Sequence, residues 1–181
     1  MTRADITLHT ERLLLRRPDA RDADAATRFF VSDRAKLIND YTEAQAWRAF
    51  AAEIGHWEIM GFGMFAVCQR SDPDTALGLV GPWFPPDWPE TEIGWMMFQG
   101  SEGKGFAHEA AEASLRFAFD TLGWAQAVSY IDPANARSIA LAERLGAVRD
   151  DACARPEPHD LVYRHDPALW RSTVPAMETT A

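Results

Sequence analysis

Three runs of strand-forming residues follow one another between positions 62 and 98, and they restrict the possible folds more than any other feature. The runs cover positions 62–69, 76–84 and 91–98, and each is rich in aromatic or β-branched residues. The segments between them are short and contain proline and aspartate, which favour turns. Short connections join antiparallel neighbours, because a parallel pair needs a long crossover. We therefore predict three antiparallel strands in succession at the centre of the chain.

Helical and strand-like segments surround this central unit. The helix that begins near Thr42 starts with a capping box, in which Gln45 is the third helical residue. A second helix, at 106–122, carries a stripe of small residues that predicts close packing on a flat surface. The other predicted elements are a strand at 12–17, a helix at 19–30, a strand at 125–131, a helix at 135–145 stopped by Gly146, and strands at 147–153 and 161–164.

Length and charge limit the number of domains and the kinds of partner. A chain of 181 residues suits a single domain, which we place at 1–181 with a frayed tail from about 172. The net charge of −9 repels nucleic-acid phosphates and anionic lipids. No segment approaches the roughly 20 apolar residues that span a bilayer, so we expect a cytoplasmic protein without nucleic-acid or membrane partners. Cys68 and Cys153 lack metal-ligand spacing, which predicts that there is no metal site.

The loop formed by Gly103, Lys104 and Gly105 is the most informative segment for function. It joins a predicted strand to a predicted helix, and glycines at such a junction allow positive φ and close approach of a ligand. The first amides of the helix then favour an anion such as pyrophosphate. A Walker phosphate loop is excluded, because Phe98 occupies the position of its first glycine, and no Gly-x-Gly-x-x-Gly fingerprint is present. A turn that only reverses the chain is the alternative interpretation.

Four motifs occur in a specific order and spacing. They are EIGW at 92–95, GKGFAHEA at 103–110, DPANARS at 132–138 and LGA at 145–147. With them the chain resembles the GNAT superfamily of acyl-coenzyme A-dependent N-acyltransferases, in the branch similar to the ribosomal-protein N-terminal acetyltransferases RimJ and RimL. The opening TERLLLR at 10–16 and VYRH at 162–165 also resemble that branch. The resemblance covers nearly the whole chain up to about Trp170.

The resemblance implies an α/β (α+β) fold and a set of binding residues. A mixed, mostly antiparallel sheet of about seven strands, flanked by helices, would open into a V between its fourth and fifth strands. Acetyl-coenzyme A would be the cosubstrate, and its acyl group would pass to an amine by direct attack in a ternary complex. The pantetheine arm would lie in the V. The implied coenzyme-binding residues are Met97, Phe98, Gly103, Lys104, Gly105, Phe106, Ala107, His108, Asn135, Arg137 and Ser138. A homodimer is common in the family.

Glu92 is the predicted general base for deprotonating the amine. It precedes Gly94 by two residues, so both project from the same face of a strand, and an apolar, tryptophan-lined cleft would raise the pKa of its carboxyl group. Glutamates at this strand position act as bases in some relatives. An exposed strand glutamate is the alternative interpretation. Trp83, Trp88 and Trp95 are expected to help wall the acceptor site, although core packing also explains Trp95.

Two positions depart from the family's pattern. Gly100 stands where the motif often has Arg or Gln, which predicts a weaker phosphate grip or a substitute contact from Gln99. Ala142 stands where many relatives carry the tyrosine that protonates the leaving thiolate. Ser138 is the predicted substitute acid, with water as the alternative. Asn135 also suits a helix N-cap. These departures leave open a second function, a non-catalytic module that senses acyl-coenzyme A.

Overall fold

The computed structural model of the protein describes residues 6–38 and 40–173, and these residues form one sheet of eight strands. The order across the sheet is β1-β2-β3-β4-β5-β6-β8-β7, and every neighbouring pair is antiparallel except β5 and β6. The predicted mixed, mostly antiparallel sheet is therefore confirmed. The strands are β1 Leu8–His9, β2 Leu13–Arg16, β3 Phe65–Gln69, β4 Asp72–Trp83, β5 Glu92–Met97, β6 Ala127–Ile131, β7 Val148–Arg149 and β8 Leu161–His165.

Helices cover both faces of this sheet. Those in the described part of the chain are α1 Ala23–Phe30, α2 Glu43–Met60, α3 Phe106–Arg116, α4 Ala136–Arg144 and α5 Pro167–Thr173. The capping box of α2 is present, since the Thr42 N–H donates to Gln45 Oε1 (2.9 Å) and the Gln45 N–H donates to Thr42 Oγ1 (3.4 Å). None of these helices combines the length and the apolar character that a membrane crossing needs.

Several predicted boundaries were wrong, and the strand expected at 147–153 covers only Val148–Arg149. The helix expected at 19–30 begins as a short 3₁₀ turn, Ala20–Asp22, whose last residue is buried with its carboxylate accepting from Arg16 on β2 (2.8 Å). The turn expected around Asp72 is tighter than predicted, because β4 already pairs there with Gln69. Helix 106–122 changes after Arg116 into a π-helical turn, Phe117–Thr121. The tail prediction falls mostly outside the described residues, although α5 extends to Thr173.

The two faces of the sheet pack against different helices, as the alternation along β5 demonstrates. Ile93 and Met97 belong to a core cluster that includes Ala110 and Ala111 of α3. Met96 belongs to a second cluster, which includes Phe50 of α2. The small residues of α3 allow its backbone to approach the sheet closely, as predicted. The side chains of Glu92 and Met96, with Gly94 between them, therefore lie on the α2 face of β5, and those at 93, 95 and 97 face α3.

The sheet is split between β5 and β6. In the described chain these strands share a single register pair, Glu92 with Val128, supported by a hydrogen bond from the Val128 N–H to the Thr91 carbonyl (2.9 Å). Beyond that pair the strands separate, so the second half of β5 leaves its outer edge open. Counted without the two-residue strand β1, these are the fourth and fifth strands, between which the V was predicted.

Candidate active site

A cavity of about 1290 Å³ occupies the split. Its walls are the open edge of β5, the starts of α3 and α4, the end of α1 and the 3₁₀ turn Asp33–Leu37. The predicted coenzyme-binding residues that line it are Met97, Gly103, Gly105, Phe106, Ala107, His108, Asn135, Arg137 and Ser138. Phe98, Lys104 and Glu92 are not part of its lining. The split thus brings together nine of the eleven residues assigned to the coenzyme from sequence.

The start of α3 presents free amides to the cavity. Gly103 and Gly105 have φ of +72° and +79°, backbone conformations that residues other than glycine rarely adopt. Gly105 is the N-cap, and the Glu109 N–H donates to its carbonyl (3.2 Å). The amides of Phe106, Ala107 and His108 therefore precede the helix's own hydrogen bonds, which leaves them available to an anion. The Lys104 ammonium instead donates a hydrogen bond to the Gly100 carbonyl (2.9 Å).

Hydrogen bonds from Thr10 and Arg12, in the turn between β1 and β2, hold this loop in place. Arg12 donates through Nη1 to the Lys104 carbonyl (2.9 Å) and through Nε to Glu109 Oε2 (2.7 Å). Thr10 Oγ1 donates to the other oxygen of the same carboxylate (2.5 Å). The Arg12 guanidinium also lies 4.9 Å from the centre of the Phe106 ring. The sequence contained the signal, because Thr10 and Arg12 lie in one quoted motif and Glu109 in another, but it did not reveal that the motifs meet.

Two arginines, Arg34 and Arg137, line the cavity. Burial and the nearby positive charge of Arg137 lower the pKa of Arg34. Arg34 Nη2 donates to the Met97 carbonyl (3.1 Å), and its guanidinium pairs with Glu102. Two guanidiniums line one cavity, and although Glu102 pairs with Arg34, they make this wall suited to an anion. Sequence analysis missed Arg34, which lies in a short 3₁₀ turn outside every motif.

Met97 and Phe98 differ in what their backbones can offer. The Phe98 N–H donates to the Leu77 carbonyl of β4 (2.8 Å), and its own carbonyl accepts from the Ser101 N–H (3.1 Å). The backbone of Phe98 thus points into the sheet and loop, and its side chain is buried in the core. Because hydrogen-bonding direction alternates along a strand, the Met97 backbone points toward the split. Of the two residues, only Met97 faces the cavity.

Ser138 lies directly across the split from β5. The Asn135 side chain caps α4 by accepting from the Ser138 N–H (3.2 Å), as expected for an N-cap. Trp95 Nε1 donates to Ser138 Oγ across the split (3.1 Å). With an indole donor on its oxygen, the Ser138 hydroxyl keeps its own proton to donate. Ala142, one turn later, is fully buried beside Tyr163 and does not reach the cavity.

Glu92 lies at the closed end of the split, on the face toward α2. Burial raises the pKa of its carboxyl group to about 7, while a hydrogen bond from Trp88 Nε1 (2.5 Å) opposes the rise. The residue keeps some exposed surface, but the carboxyl group itself is desolvated. Glu92 Oε1 lies 3.7 Å from where a Cβ on Gly94 would stand, so the two residues share a face as predicted.

The three tryptophans do not form one wall. Trp83 stacks on His56 with ring centres 4.4 Å apart, and Trp88 binds Glu92. Trp95 lies on the opposite face of β5, where it binds Ser138. The sequence grouped them by proximity along the chain, whereas strand alternation divides them between two faces.

Comparison with known proteins gives the family. The family model described as an acetyltransferase (GNAT) domain matches residues 12–148, which include the glycine loop, the split and α4. The chain belongs to the GNAT acetyltransferase family. GNAT acetyltransferases use acetyl-coenzyme A as the acyl donor.

Relatives of this GNAT protein match over most of their length. An acetyltransferase of Agrobacterium tumefaciens strain C58 has a solved structure with a TM-score of 0.84, 37% identity, and coverage of 88% of this chain and 94% of that one. A candidate ribosomal-protein-serine acetyltransferase of Vibrio cholerae has a TM-score of 0.72 at 25% identity, covering 90% and 98%. The uncharacterized N-acetyltransferase p20 of Bacillus licheniformis is 27% identical over 154 residues, covering 80% of this chain and 86% of p20.

The residues of this GNAT domain suit a coenzyme that carries phosphates. The amides at the start of α3 and the guanidiniums of Arg34 and Arg137 supply positive charge on one side of the cavity. Gly103 leaves open space where a Cβ would stand, so a ligand can approach its backbone. The Met97 backbone supplies hydrogen-bonding groups along the open strand edge.

Proposed function

We propose that this GNAT protein transfers an acetyl group from acetyl-coenzyme A to a primary amine by direct attack in a ternary complex. The observation that carries the proposal is the Glu92 carboxyl group, whose pKa burial raises to about 7 at the end of the split. A general base is most effective when its pKa is close to the working pH. Glu92 therefore suits removal of a proton from an amine near neutral pH.

The coenzyme would be held by the part of the cavity that carries positive charge. The amides of Phe106, Ala107 and His108 would bind the pyrophosphate, and the Met97 backbone would bind the pantetheine arm. Asn135 and Arg137 would contact the coenzyme from α4. Arg34 would supply the contact that the family often obtains from Arg or Gln at the position where this chain has Gly100. Gln99 is exposed and outside the cavity lining, which favours Arg34 over Gln99 for this role.

Ser138 would protonate the departing thiolate. Its hydroxyl lies in the cavity and accepts a hydrogen bond from Trp95, so its proton can point toward a ligand. Glu92 would take a proton from the ammonium form of the acceptor, and the neutral amine nitrogen would then attack the thioester carbonyl. The released thiol has a pKa of about 8.5, so the demand on the acid is modest near neutral pH.

Release of free thiol from acetyl-coenzyme A tests this proposal. We expect release that depends on a primary amine in the assay, and a lower kcat in Ser138→Ala with little change in coenzyme A affinity. Calorimetric titration with coenzyme A measures that affinity separately. If the protein binds coenzyme A but no amine in a panel of peptides, polyamines and small amines stimulates thiol release, the proposal of catalysis is wrong.

A non-catalytic acyl-coenzyme A sensor is the second proposed function. It is favoured by Ala142, which is buried against Tyr163 and cannot supply the usual acid. A sensor would bind acetyl-coenzyme A without turning it over. The same thiol assay therefore distinguishes the two functions.

The acceptor of the proposed reaction follows from the branch that the chain resembles. The candidate ribosomal-protein-serine acetyltransferase of Vibrio cholerae is among the structural relatives, and its name refers to a protein acceptor. We infer that a RimJ- or RimL-like activity on a peptide N-terminus is one form of the proposed function. A peptide with a free N-terminus belongs in the amine panel for this reason.

A further inference from the structure

Glu53 is a buried carboxyl group that no part of the coenzyme site uses. It lies in the middle of α2, and only 6% of its surface is exposed. Its Oε2 has no hydrogen-bond partner among residues 6–38 and 40–173. Buried polar groups are nearly always hydrogen-bonded, because an unsatisfied one weakens the fold. Glu53 therefore has a carboxyl oxygen that is available to bind a group from outside the described chain.

The position of Glu53 directs it toward Glu92. His56 lies one helical turn after Glu53 and stacks on Trp83, which is the register partner of Glu92 in the sheet. The Glu92 carboxyl group folds over Gly94 on the face that α2 covers, beside Met64. The two carboxyl groups are near enough for the negative charge of Glu92 to add to the effect of burial on Glu53, and together they raise the pKa of Glu53 to about 8.

The other ionisable groups around this pair do not balance its charge. Tyr41 faces Glu53, and the negative charge of Glu53 raises the pKa of Tyr41 after the larger effect of burial. His56 is fixed as a neutral ring, because Nδ1 donates to the Phe62 carbonyl (2.7 Å) and Nε2 accepts from the Phe84 N–H (3.1 Å).

On the far side of Glu92 lie Asp160 and Tyr130, and the basic residues there, Arg155 and His159, lie near Asp160. Asp160 raises the pKa of Glu92 further, and Tyr130 stands beside it as an uncharged phenol whose hydroxyl has no partner in the described chain. Within residues 6–38 and 40–173, neither carboxyl group of the pair forms an ion pair with a Lys or Arg. Without a cation in the site, the raised pKa of Glu53 keeps its carboxyl group protonated near neutral pH, and an ammonium from outside the protein would bind by displacing that proton.

We propose that Glu53 and Glu92 together form the acceptor site, in which Glu53 binds the amine as its ammonium and Glu92 removes one of its protons. This inference rests on the proposed N-acetyltransferase function. The ammonium gives one proton to the Glu92 carboxylate and becomes a neutral amine. Its nitrogen forms a bond to the acetyl carbonyl carbon as the carbon–sulfur bond breaks. Ser138 gives its proton to the thiolate and regains a proton from the nitrogen, which thereby loses its second proton. Glu92 then releases its proton to solvent.

The charge of the site also defines the class of acceptor. A free α-amino acid would bring its own carboxylate close to Glu53, Glu92 and Asp160, which repel it. An amine without an adjacent carboxylate meets no such repulsion. The preferred acceptors are therefore primary amines in which the neighbouring carboxyl group is absent or is part of an amide, as at a peptide N-terminus.

Matched acceptors and variants test the inference. L-phenylalaninamide and L-phenylalanine differ in one carboxylate, and Glu53→Gln removes the charge of Glu53 without changing its shape. Glu58→Gln is the control, because it makes the same change on the exposed side of α2, where Glu58 pairs with Arg17. At saturating acetyl-coenzyme A, we expect Glu53→Gln to raise the KM for the amide by about 10-fold or more and to change kcat by less than about 3-fold. We expect wild-type values for Glu58→Gln.

A binding measurement separates this inference from the proposed catalysis. Calorimetric titration of L-phenylalaninamide into the wild-type protein saturated with coenzyme A reports amine binding without turnover. Binding that is lost in Glu53→Gln, in a protein that releases no thiol, would overturn the catalytic proposal and support the acceptor site. Turnover or binding of the amide that does not differ between wild type and Glu53→Gln would overturn the role of Glu53, and so would an absence of amide binding to the wild-type protein.

Glu53→Met distinguishes recognition from a structural role. Methionine fills a similar volume without a buried polar group, so we expect this variant to melt at a higher temperature than the wild type and still to fail to bind the amide. A lower melting temperature in both Glu53 variants, with amide affinity unchanged, would mean that Glu53 supports the fold and not the acceptor.

Discussion

Replacement of Gly105 by valine tests the assignment of the coenzyme's phosphates to the start of α3. Gly105 has φ of +79°, a conformation that costs an L-residue about 1–2 kcal/mol and a β-branched residue more. A Cβ at this position would also lie 3.2 Å from Arg12 Nη2, which is held in an ion pair with Glu109. We expect the free energy of unfolding to fall by about 2–3 kcal/mol, which leaves a domain of ordinary stability folded.

Coenzyme A affinity should fall more than stability does. The valine side chain would block the approach of a phosphate to the amides of Phe106 and Ala107, and each hydrogen bond to a charged group contributes about 1.5–3 kcal/mol. Loss of two such bonds weakens binding by about 3–6 kcal/mol, which is more than about 100-fold in Kd. Calorimetric titration with coenzyme A measures the affinity, and far-ultraviolet circular dichroism with thermal melting measures the fold.

Gly123→Val is the matched control for backbone strain. Gly123 has φ of +70°, its Cβ position has no described atom within 4 Å, and it lies in an exposed turn outside the cavity. We expect this variant to lose similar stability but to keep wild-type affinity for coenzyme A. A folded Gly105→Val variant with wild-type affinity would refute the phosphate assignment. Equal losses of affinity in the two variants would attribute the effect to strain alone.

Three further predictions concern charge. Glu92→Gln should lower kcat by about 100-fold without changing the Kd of coenzyme A. The wild-type kcat/KM should rise with pH through about 7 as Glu92 loses its proton, and the pH–rate profile of the variant should lack that rise. Arg137→Met should weaken coenzyme A binding by about 10-fold and reduce its salt dependence, whereas Arg149→Met, which breaks an exposed pair with Asp151, should change neither in titrations at two salt concentrations. The contribution of Glu53 to the wild-type free energy of unfolding should fall as pH rises from about 5 to about 8, because burial raises its pKa and the native state holds a proton that the unfolded state has released. Denaturant titrations of wild type and Glu53→Met across this pH range measure the difference.

Features with local causes could be predicted from the sequence. The capping box of Thr42, the Asn135 cap and the left-handed glycine at position 146 each depend on residues a few positions apart. The open edge of β5 was predicted only through the resemblance, because one strand's periodicity does not reveal where its neighbour departs. The same limit explains why Phe98 was assigned to the coenzyme although its backbone N–H is already paired with Leu77.

Glu53 and Arg34 could not be identified because their roles depend on long-range packing. Glu53 does lie three residues after Phe50 and four before Trp57, both buried, so helical spacing places it on the buried face of α2. That spacing indicates burial but not the group that Glu53 meets, which belongs to a strand about forty residues later. Arg34 has no comparable signal, because a 3₁₀ turn gives no periodicity to follow.

The charges of the site are separated along a single strand. Glu92, at the start of β5, lies with Glu53 and Asp160 in surroundings that attract a cation. Met97, at its end, lies beside Arg34 and within reach of the α3 amides, which attract an anion. An ammonium and a phosphate-bearing coenzyme would therefore be drawn to opposite ends of β5, about five residues or roughly 16 Å apart. The thioester would have to lie between them, at the level of Trp95 and Ser138, where the indole and the hydroxyl already meet across the split.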